Sequence, residues 1–411
     1  MSLNNTPRSN RVHIAFFGRR NAGKSSIINA VTGQELALVS EVLGTTTDPV
    51  YKAMELLPLG PVVMIDTAGL DDEGELGQMR VKKTIEVMKK TDIAVVVIDA
   101  TREDLELEEA WIKELREKKI PVLAVINKID AKDDIKNLEK KLEEVLEVPM
   151  VKVSAIEKKG IHTLKEKIAL LVPEEKDKFC IVGDLINPSD LVVLVTPIDD
   201  SAPKGRLILP QQQTIRDILE SDAIAVITKE HELRNTLSKL GEKPKIVITD
   251  SQAFLKVAAD TPKDIPMTSF SILFARYKGD LEIMVEGVKA IEKLQDGDKI
   301  LICEACTHHQ QSDDIGTVKI PRWIRQKTGK NIEFHHQSGH DFSENLQGYK
   351  LIIHCGGCML NAKAMKGRMG EAKNQEVNIT NYGVVIAHVH GILERALEPF
   401  PRAKSIYLSN K

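Results

Sequence analysis

Gly18-Arg19-Arg20-Asn21-Ala22-Gly23-Lys24-Ser25 follows the apolar, β-prone run Val12–Phe17 and opens a stretch with helical patterning. It fits the spacing G-x-x-x-x-G-K-[ST] in the strand-to-helix setting that gives this spacing its meaning. The glycines allow backbone N–H groups to wrap phosphate oxygens at a helix N-terminus. Lys24 is placed to bridge the outer phosphates and Ser25 to ligate magnesium. Gly18, Asn21, Ala22, Gly23, Lys24, Ser25 and Ser26 are the expected phosphate-binding residues.

Outward from this loop, short apolar runs alternate with amphipathic stretches. Val12–Phe17, Val62–Ile65, Ile93–Ile98, Val122–Ile126 and Met150–Val153 read as strands. The helix-patterned segments between them predict a doubly wound parallel sheet. A helix expected over Ile161–Val172 runs into the charged stretch Pro173–Lys178, a first linker. Three more strand runs, Leu191–Val195, Ala223–Ile227 and Lys245–Ile248, alternate with helical patterns near Ile215–Glu220 and Glu232–Lys239. Beyond a second linker at Thr261–Pro266, strands are expected at Lys299–Cys303, Asn331–Phe334 and Leu351–Ile353. The predicted class is α/β with three domains: a phosphate-loop domain with a doubly wound sheet over 1–174, and two smaller α/β domains over 175–262 and 263–411.

Asp66-Thr67-Ala68-Gly69 ends a second strand, where a carboxylate can hold magnesium and the Gly69 N–H can sense a γ-phosphate. Asn127-Lys128-Ile129-Asp130 selects the base, because the Asp130 carboxylate accepts from both the N1–H and the exocyclic amine of guanine, a pair that adenine does not present. Ser154-Ala155, after the next strand, is placed to meet the guanine carbonyl through its backbone. The polar segment Gly44-Thr45-Thr46-Thr47-Asp48 suits a switch, with Thr46 the expected second magnesium ligand. These signals, in this order, predict a GTP-hydrolysing domain with Lys24, Thr46, Asp66 and Gly69 as its catalytic set. Leu70 stands where a water-positioning glutamine would follow, so slow intrinsic hydrolysis is expected.

A chain of 411 residues exceeds one comfortable core, in keeping with several modules. Its net charge of -3 and its 4% of aromatic residues offer neither a global attraction for phosphate backbones nor many rings to stack on bases. Nucleic acid is therefore a disfavoured partner. The opening MSLNNTPRSNR has no apolar signal core behind it, and the apolar runs are far too short to span a bilayer. A cytoplasmic protein without membrane association is expected, in which five cysteines point to metal or catalysis and not to disulfides.

Cys303, Cys306, Cys355 and Cys358 all lie in the last third of the chain. Cys306-Thr-His308 and His354-Cys355-Gly-Gly-Cys358 each follow an apolar strand, so both groups can project from the same end of a sheet. Thiolates bind soft or borderline metals, and Gly356-Gly357 frees backbone N–H groups to face cluster sulfides. Read as two C-x-x-C pairs, the same residues spell a four-cysteine zinc site, although the pairs are further apart than that pattern usually allows. From the residues alone, zinc and iron–sulfur stand level. His309, His335, His336, His340, His388 and His390 are expected to be ordinary surface or half-buried side chains.

The nucleotide motifs resemble the GTPases related to the tRNA-modification GTPase and Era. Their switch segment usually reads Gly-Thr-Thr-Arg-Asp, and Thr47 replaces the arginine here. In those families an asparagine at the position of Asn21 accompanies a bound potassium ion that supplies charge in the manner of an arginine finger, which implies K+ as a further cofactor. Over its whole length the chain resembles the FeFe-hydrogenase maturation GTPases, HydF, through three features. They are the GTPase domain, the middle segment Ala202-Pro-Lys-Gly-Arg-Leu-Ile-Leu-Pro-Gln211 and the C-x-H … H-C-x-x-C pattern. This resemblance implies GTP, Mg2+ and a 4Fe-4S cluster held by Cys306, Cys355 and Cys358. His308 and His354 match the pattern as candidate fourth iron ligands, and Glu304 is a carboxylate alternative that this sequence adds. The resemblance also implies a homodimer formed through the middle domain. It further implies a scaffold that carries a two-iron precursor to apo FeFe-hydrogenase alongside radical-SAM maturases. Cys303 falls outside the pattern and is expected in the core. The competing expectation is a ribosome- or RNA-associated GTPase with a structural zinc domain.

Overall fold

The computed structural model describes residues 6–33, 49–67, 83–102, 104–132, 135–144, 147–172, 180–197, 207–305, 314–339, 342–343 and 345–409. Thr46, Thr47, Gly69 and Leu70 of the expected switches lie outside them, as do Cys306, His308, His309, His340, Lys204 and Arg206. The chain divides into two units, 1–176 and 177–411.

The first unit is built on β1 (Val12–Phe17), β2 (Val50–Leu56), β3 (Gly60–Asp66), β4 (Ile93–Asp99), β5 (Val122–Asn127) and β6 (Met150–Lys152), in the order β2-β3-β1-β4-β5-β6. Only β2 runs antiparallel to its neighbour. Its helices include α1 (Lys24–Thr32), α2 (Glu106–Glu117), α3 (Lys136–Glu144) and α4 (Ile161–Leu170), and residues 83–88 are helical too. Every residue of β4 and β5 is buried, as a parallel strand covered on both faces demands. The two-residue alternation of a strand sorts β1 between two layers. Ile14 and Phe16 pack with Ile27 and Ile28 of α1 and Leu164 and Ile168 of α4. Ala15 and Phe17 pack with Trp111, Ile112 and Leu115 of α2. The five parallel strands fall within two residues of their expected limits. β2 does not appear among the expectations, because this edge strand is mostly half-exposed and carries Lys52 and Glu55 in place of an apolar run.

The second unit holds two four-stranded, all-parallel sheets. β7 (Leu191–Val195), β8 (Ile224–Thr228), β9 (Ile246–Thr249) and β10 (Met267–Ser269) are ordered β10-β9-β7-β8. β11 (Lys299–Glu304), β12 (Glu333–Ser338), β13 (Tyr349–His354) and β14 (Asn378–Asn381) are ordered β12-β11-β13-β14. The helices in chain order are α5 (Leu209–Glu220), α6 (Leu233–Lys239), α7 (Phe254–Asp260), α8 (Phe270–Lys278), α9 (Leu281–Val288), α10 (Ile320–Thr328), α11 (Ala362–Asn374), α12 (Tyr382–Val389), α13 (Leu393–Ala396) and α14 (Pro401–Leu408). The α/β class is as predicted, with two small sheets after the large one.

The boundary expected at 262 is displaced. Met267 of β10 pairs with Val247 of β9, so the middle sheet continues past it. Thr261–Pro266 is no free linker either. Arg395 donates to the carbonyls of Ala258, Thr261 and Pro262 at 2.6, 2.7 and 2.9 Å, and Ile265 is buried. Two prolines and two charges look like a hinge in sequence, but distant packing holds them. One continuous apolar core joins Val193 and Val247 of the middle sheet to Ile302 and Ile353 of the last, with Phe274 of α8 among them. Among the described residues no helix is long and apolar enough to cross a membrane.

Candidate functional site

In the first sheet β1 lies between β3 and β4, so successive connections leave on opposite sides of it and a crevice opens beyond its carboxyl end. The loop after β1 fills that position. Gly18 has φ +147° and Gly23 φ +91°, backbone shapes that only glycine takes without strain. Sterics repeat the requirement: a Cβ on Gly23 would run into the side-chain nitrogen of Asn127, and one on Gly18 into the Val97 carbonyl. Asn21, exposed at the tip, has φ +59°.

Asn127 is 2% exposed and ties three motifs together. Its Nδ2 donates to the Ala22 carbonyl at 2.9 Å, while its Oδ1 accepts from the Ala155 N–H at 3.2 Å. Lys24 Nζ donates to the carbonyls of Gly18 and Arg19, both at 2.9 Å. Ser25 Oγ donates to Asp66 Oδ2 at 2.5 Å. The other carboxylate oxygen, Oδ1, is buried without a hydrogen-bond partner among the described residues. Burial pushes the Asp66 carboxyl above its ordinary pKa, against the Ser25 hydrogen bond and the Lys24 charge. A hydroxyl beside an orphaned carboxylate oxygen is the hard oxygen donor set that magnesium takes, so these residues fit that ion. Ser26 follows in the first turn of α1.

Base-side residues sit at the ends of β5 and β6. Lys128, at φ +64°, is held by Asp99 with Nζ 2.6 Å from Oδ2. Burial would raise the Asp99 carboxyl, but hydrogen bonds from Lys128 and Thr101 hold it below the usual range. Asp130 is exposed, open to a base, and Ser154 is fully buried with its Oγ accepting from the Glu157 N–H at 3.1 Å. Sequence reading missed Arg19, whose guanidinium bridges the phosphate loop to Asp104 at 2.8 Å and to Glu108 at 3.1 Å. The acidic pair four residues apart at the start of α2 was the available signal.

The last sheet repeats the topological arrangement. The chain goes from β11 outward to β12, then returns past β11 to β13, so the crevice lies beyond the ends of β11 and β13. β13 leads directly into the Cys355–Cys358 loop, and β11 holds Cys303. Cys303 pairs with His354 across them, and the Cys355 N–H donates to the Cys303 carbonyl at 2.8 Å. Cys355 Sγ accepts from the N–H of Ala305 at 3.2 Å and of Gly357 at 3.5 Å. Burial raises the Cys355 thiol to about 11 and raises Cys358 as well, where the Lys278 charge opposes it. Cys303 is 1% exposed and pushed by burial to about 12, an inert core thiol as expected. Glu304 is buried at the end of β11, accepting from the Tyr382 hydroxyl at 3.0 Å.

His354, expected as a fourth ligand, instead has both ring nitrogens engaged. Nδ1 lies 2.8 Å from the Cys355 carbonyl, which can only accept, so this nitrogen carries the proton. Nε2 lies 2.7 Å from Arg368 NH1, which can only donate, so its lone pair is used. Burial, then the Arg368 charge, lowers the ring to about 3 and keeps it neutral. The ring braces the loop and has no lone pair left for a metal. Among the described residues no three or more His, Cys, Asp or Glu side chains gather as a metal site; Cys306 and His308 lie outside those residues.

Comparison with known families separates the two units. Residues 13–128 match the family model described as 50S ribosome-binding GTPase. Residues 181–279 match that of the hydrogen maturase F dimerization domain, and 282–399 that of the hydrogen maturase F tetramerization domain. The last two together span more than half of the chain. It belongs to the hydrogen maturase F family.

Within hydrogen maturase F the division between the self-association modules falls between α8 and α9, not at 262. The GTPase part is similar to the tRNA modification GTPase MnmE of Natranaerobius thermophilus, 33% identical over 52% of this chain and 44% of that protein. It is also similar to the GTPase Der of Sulfurihydrogenibium sp., 38% identical over 38% of this chain and 37% of that one. The chain thus spans less than half the length of these relatives. Among solved structures, Era of Aquifex aeolicus covers 56% of this chain at 19% identity with a TM-score of 0.36. The G domain of FeoB from Methanococcus jannaschii covers 40% at 28% identity with a TM-score of 0.30. The first unit of this hydrogen maturase F is a GTP hydrolase domain that takes GTP and Mg2+. The two maturase modules do not favour the ribosome-associated alternative.

A buried lysine was also missed in sequence. Lys278, at the end of α8, is 1% exposed and donates into the thiol loop. Burial pulls its ammonium down to about 8, against the pull of the Cys358 and Cys355 thiols.

Proposed function

We propose that this chain is a GTP-hydrolysing scaffold that holds a 4Fe-4S cluster and a two-iron precursor, and delivers that precursor to apo FeFe-hydrogenase. It acts as a cytoplasmic homodimer beside radical-SAM maturases, with no nucleic acid or membrane involved. The observation that supports this best is the Cys355–Cys358 loop, set directly after β13 beside the switch point of a parallel sheet whose neighbouring strand β11 ends two residues before Cys306 in the chain. There Cys355 Sγ already receives two backbone N–H groups beside a buried ammonium. Soft thiolates, N–H donors and positive charge are what an iron–sulfur cluster takes from a protein.

On the nucleotide side, Lys24 leaves its loop carbonyls to reach the outer phosphates, and the loop N–H groups point at the same oxygens. Ser25, Thr46 and Asp66 would hold magnesium, which would compensate phosphate charge. Gly69 reports the γ-phosphate, and Asn127, Lys128, Asp130, Ser154 and Ala155 hold the base. Asn21 is the residue through which K+ acts, and an unchanged GTPase rate on replacing K+ by Na+ would remove that part of the reading. On the thiol side, Cys306, Cys355 and Cys358 would hold the cluster, which supplies an iron without a protein thiolate where an exogenous ligand can dock. His308 and Glu304 are the fourth-ligand candidates that the His354 geometry leaves. Loss of the γ-phosphate releases the switch segments and so biases docking or release of the partner.

Anaerobic reconstitution with iron and sulfide tests the proposal. The expected product is brown and contains iron and sulfide; Cys306→Ser and Cys355→Ser lose it, whereas Cys303→Ser keeps it. A colourless zinc protein, or a cluster that depends on Cys303 and not on Cys306, overturns the reading.

A further inference from the structure

α8 begins directly after β10 of the middle sheet. The Ser269 Oγ accepts from the Ile272 N–H at 3.2 Å and caps it, and Gly279 follows its last residue. Arg276, near its end, holds Asp184 with contacts of 2.6 and 2.5 Å, and the carbonyls of Cys180 and Ile181 at 3.1 and 3.2 Å. Lys278 sends its side chain the other way. Its Nζ donates to the carbonyls of Gly357, Cys358 and Leu360 at 3.2, 3.0 and 2.7 Å and lies 5.7 Å from the Phe274 ring centroid. All three donor positions of the ammonium are used on one turn of the C-x-x-C loop. Among the described residues no carboxylate pairs with it.

A fully buried lysine costs several kcal/mol of desolvation unless its charge is answered. Neutral carbonyls answer it in part, and the remaining negative charge available nearby is that of the thiols themselves. Metal binding deprotonates those thiols. Three thiolates around an iron–sulfur core leave the loaded site net negative, and more so on reduction.

We propose that Lys278 is a positioning residue for the cluster site. It fixes the Gly357–Leu360 turn through its carbonyls and supplies the buried positive charge that matches the ligating thiolates. This rests on the cluster reading of the thiol loop. Its anchor sits in the segment matched to the dimerization module, and its target in the tetramerization module. The cluster loop is therefore fastened from the neighbouring module, through the same helix that Arg276 ties to the start of that module.

The test uses the full chain, reconstituted anaerobically, as wild type, K278R, K278Q and K278M. Iron and sulfide content, the midpoint of a reductive titration followed by EPR, and the rate of iron loss to a chelator are read. Lys278→Gln keeps donors without charge and is expected to load but to titrate at a lower potential, because the reduced site loses its counter-charge. Lys278→Arg is expected to stay near wild type in potential. Lys278→Met is expected to lose iron to chelator about tenfold faster or more, from loss of charged hydrogen bonds. If Lys278→Met does not load, the Gln and Arg pair still decides: Gln at the wild-type potential overturns the charge role. Wild-type chelator kinetics in Lys278→Met overturn the positioning role. A wild-type protein that takes up no iron and sulfide overturns the cluster reading itself, and this proposal with it.

Discussion

Replacing Asn127 by alanine removes two hydrogen bonds from a side chain that is 2% exposed, one to the phosphate loop at Ala22 and one from the base loop at Ala155. Removing the amide leaves each partner unpaired, at a cost of about 1–3 kcal/mol for the buried bond to Ala22 and about 1 kcal/mol for the part-buried bond from Ala155. The sum is roughly 2–4 kcal/mol. Because the lost bonds set the distance between the phosphate and base subsites, most of that loss is expected in nucleotide affinity, about 30- to 1000-fold at 1.4 kcal/mol per decade. Titration of a fluorescent GDP analogue against the full chain measures it, with circular dichroism establishing that the variant is folded. Asn127→Asp separates the two bonds: its carboxylate still accepts from the Ala155 N–H but turns a second acceptor toward the Ala22 carbonyl. It is expected to weaken binding nearly as much as alanine does. A folded Asn127→Ala protein that binds GDP within about twofold of wild type would refute the argument that this amide braces the site.

Three other outcomes are expected. Asp130→Asn exchanges an acceptor for a donor opposite the exocyclic group of the base, so GTP binding drops roughly a hundredfold from lost charge-assisted bonds while xanthosine triphosphate gains; unchanged base preference sinks the assignment of Asp130. Asp99 has its pKa held below the usual carboxylate value, so its contribution to stability is present above about pH 4 and is lost as pH falls through the depressed value. Lys128→Met removes the main opposing hydrogen bond and moves the acid unfolding limb of the first unit to higher pH, read from Trp111 fluorescence in a Trp323→Phe background; an unmoved limb contradicts it. β8 is an edge strand that exposes Ile224 at 51% and Ile227 at 47% on opposite faces, with Leu219 of α5 at 59% beside it. A strand apolar on both faces belongs inside a sheet, so Ile227→Lys is expected to shift the oligomer toward monomer in light scattering; since each two-fold contact is broken twice, the loss is about tenfold or more in dimer affinity.

How much of this could be read in advance depended on whether function was carried by neighbours in sequence. The phosphate loop, the Asn127–Asp130 turn and the Cys355–Cys358 loop are each a few residues directly after a buried parallel strand, and such strands announce themselves as unbroken apolar runs. β2 and β10 gave no such signal: the first is an edge strand with charged residues, and the second is three residues long behind a proline. The boundary at 262 was misplaced for a related reason. Thr261–Pro266 has the composition of a linker, and what makes it structure is Arg395, far away in sequence.

The same distinction explains why His354, which its motif makes a candidate iron ligand, has its lone pair engaged elsewhere. The motif names the histidine but not Arg368, fourteen residues later on α11, which takes its lone pair. Nor does it name Lys278, which reaches the loop from a helix that otherwise reads as plain core. In the nucleotide sheet, and in the last sheet on the proposed cluster reading, the crevice at the switch point is the place for a ligand, and short loops supply the groups set to touch it. The charges that hold those loops in shape come from helices distant in the chain: Arg19 on Glu108 in the first unit, Arg368 on His354 and Lys278 on the Cys358 carbonyl in the second. Substitutions at these supports leave every motif intact, so they are expected to alter how firmly nucleotide or metal is held while the chain still reads, by its motifs, as fully competent.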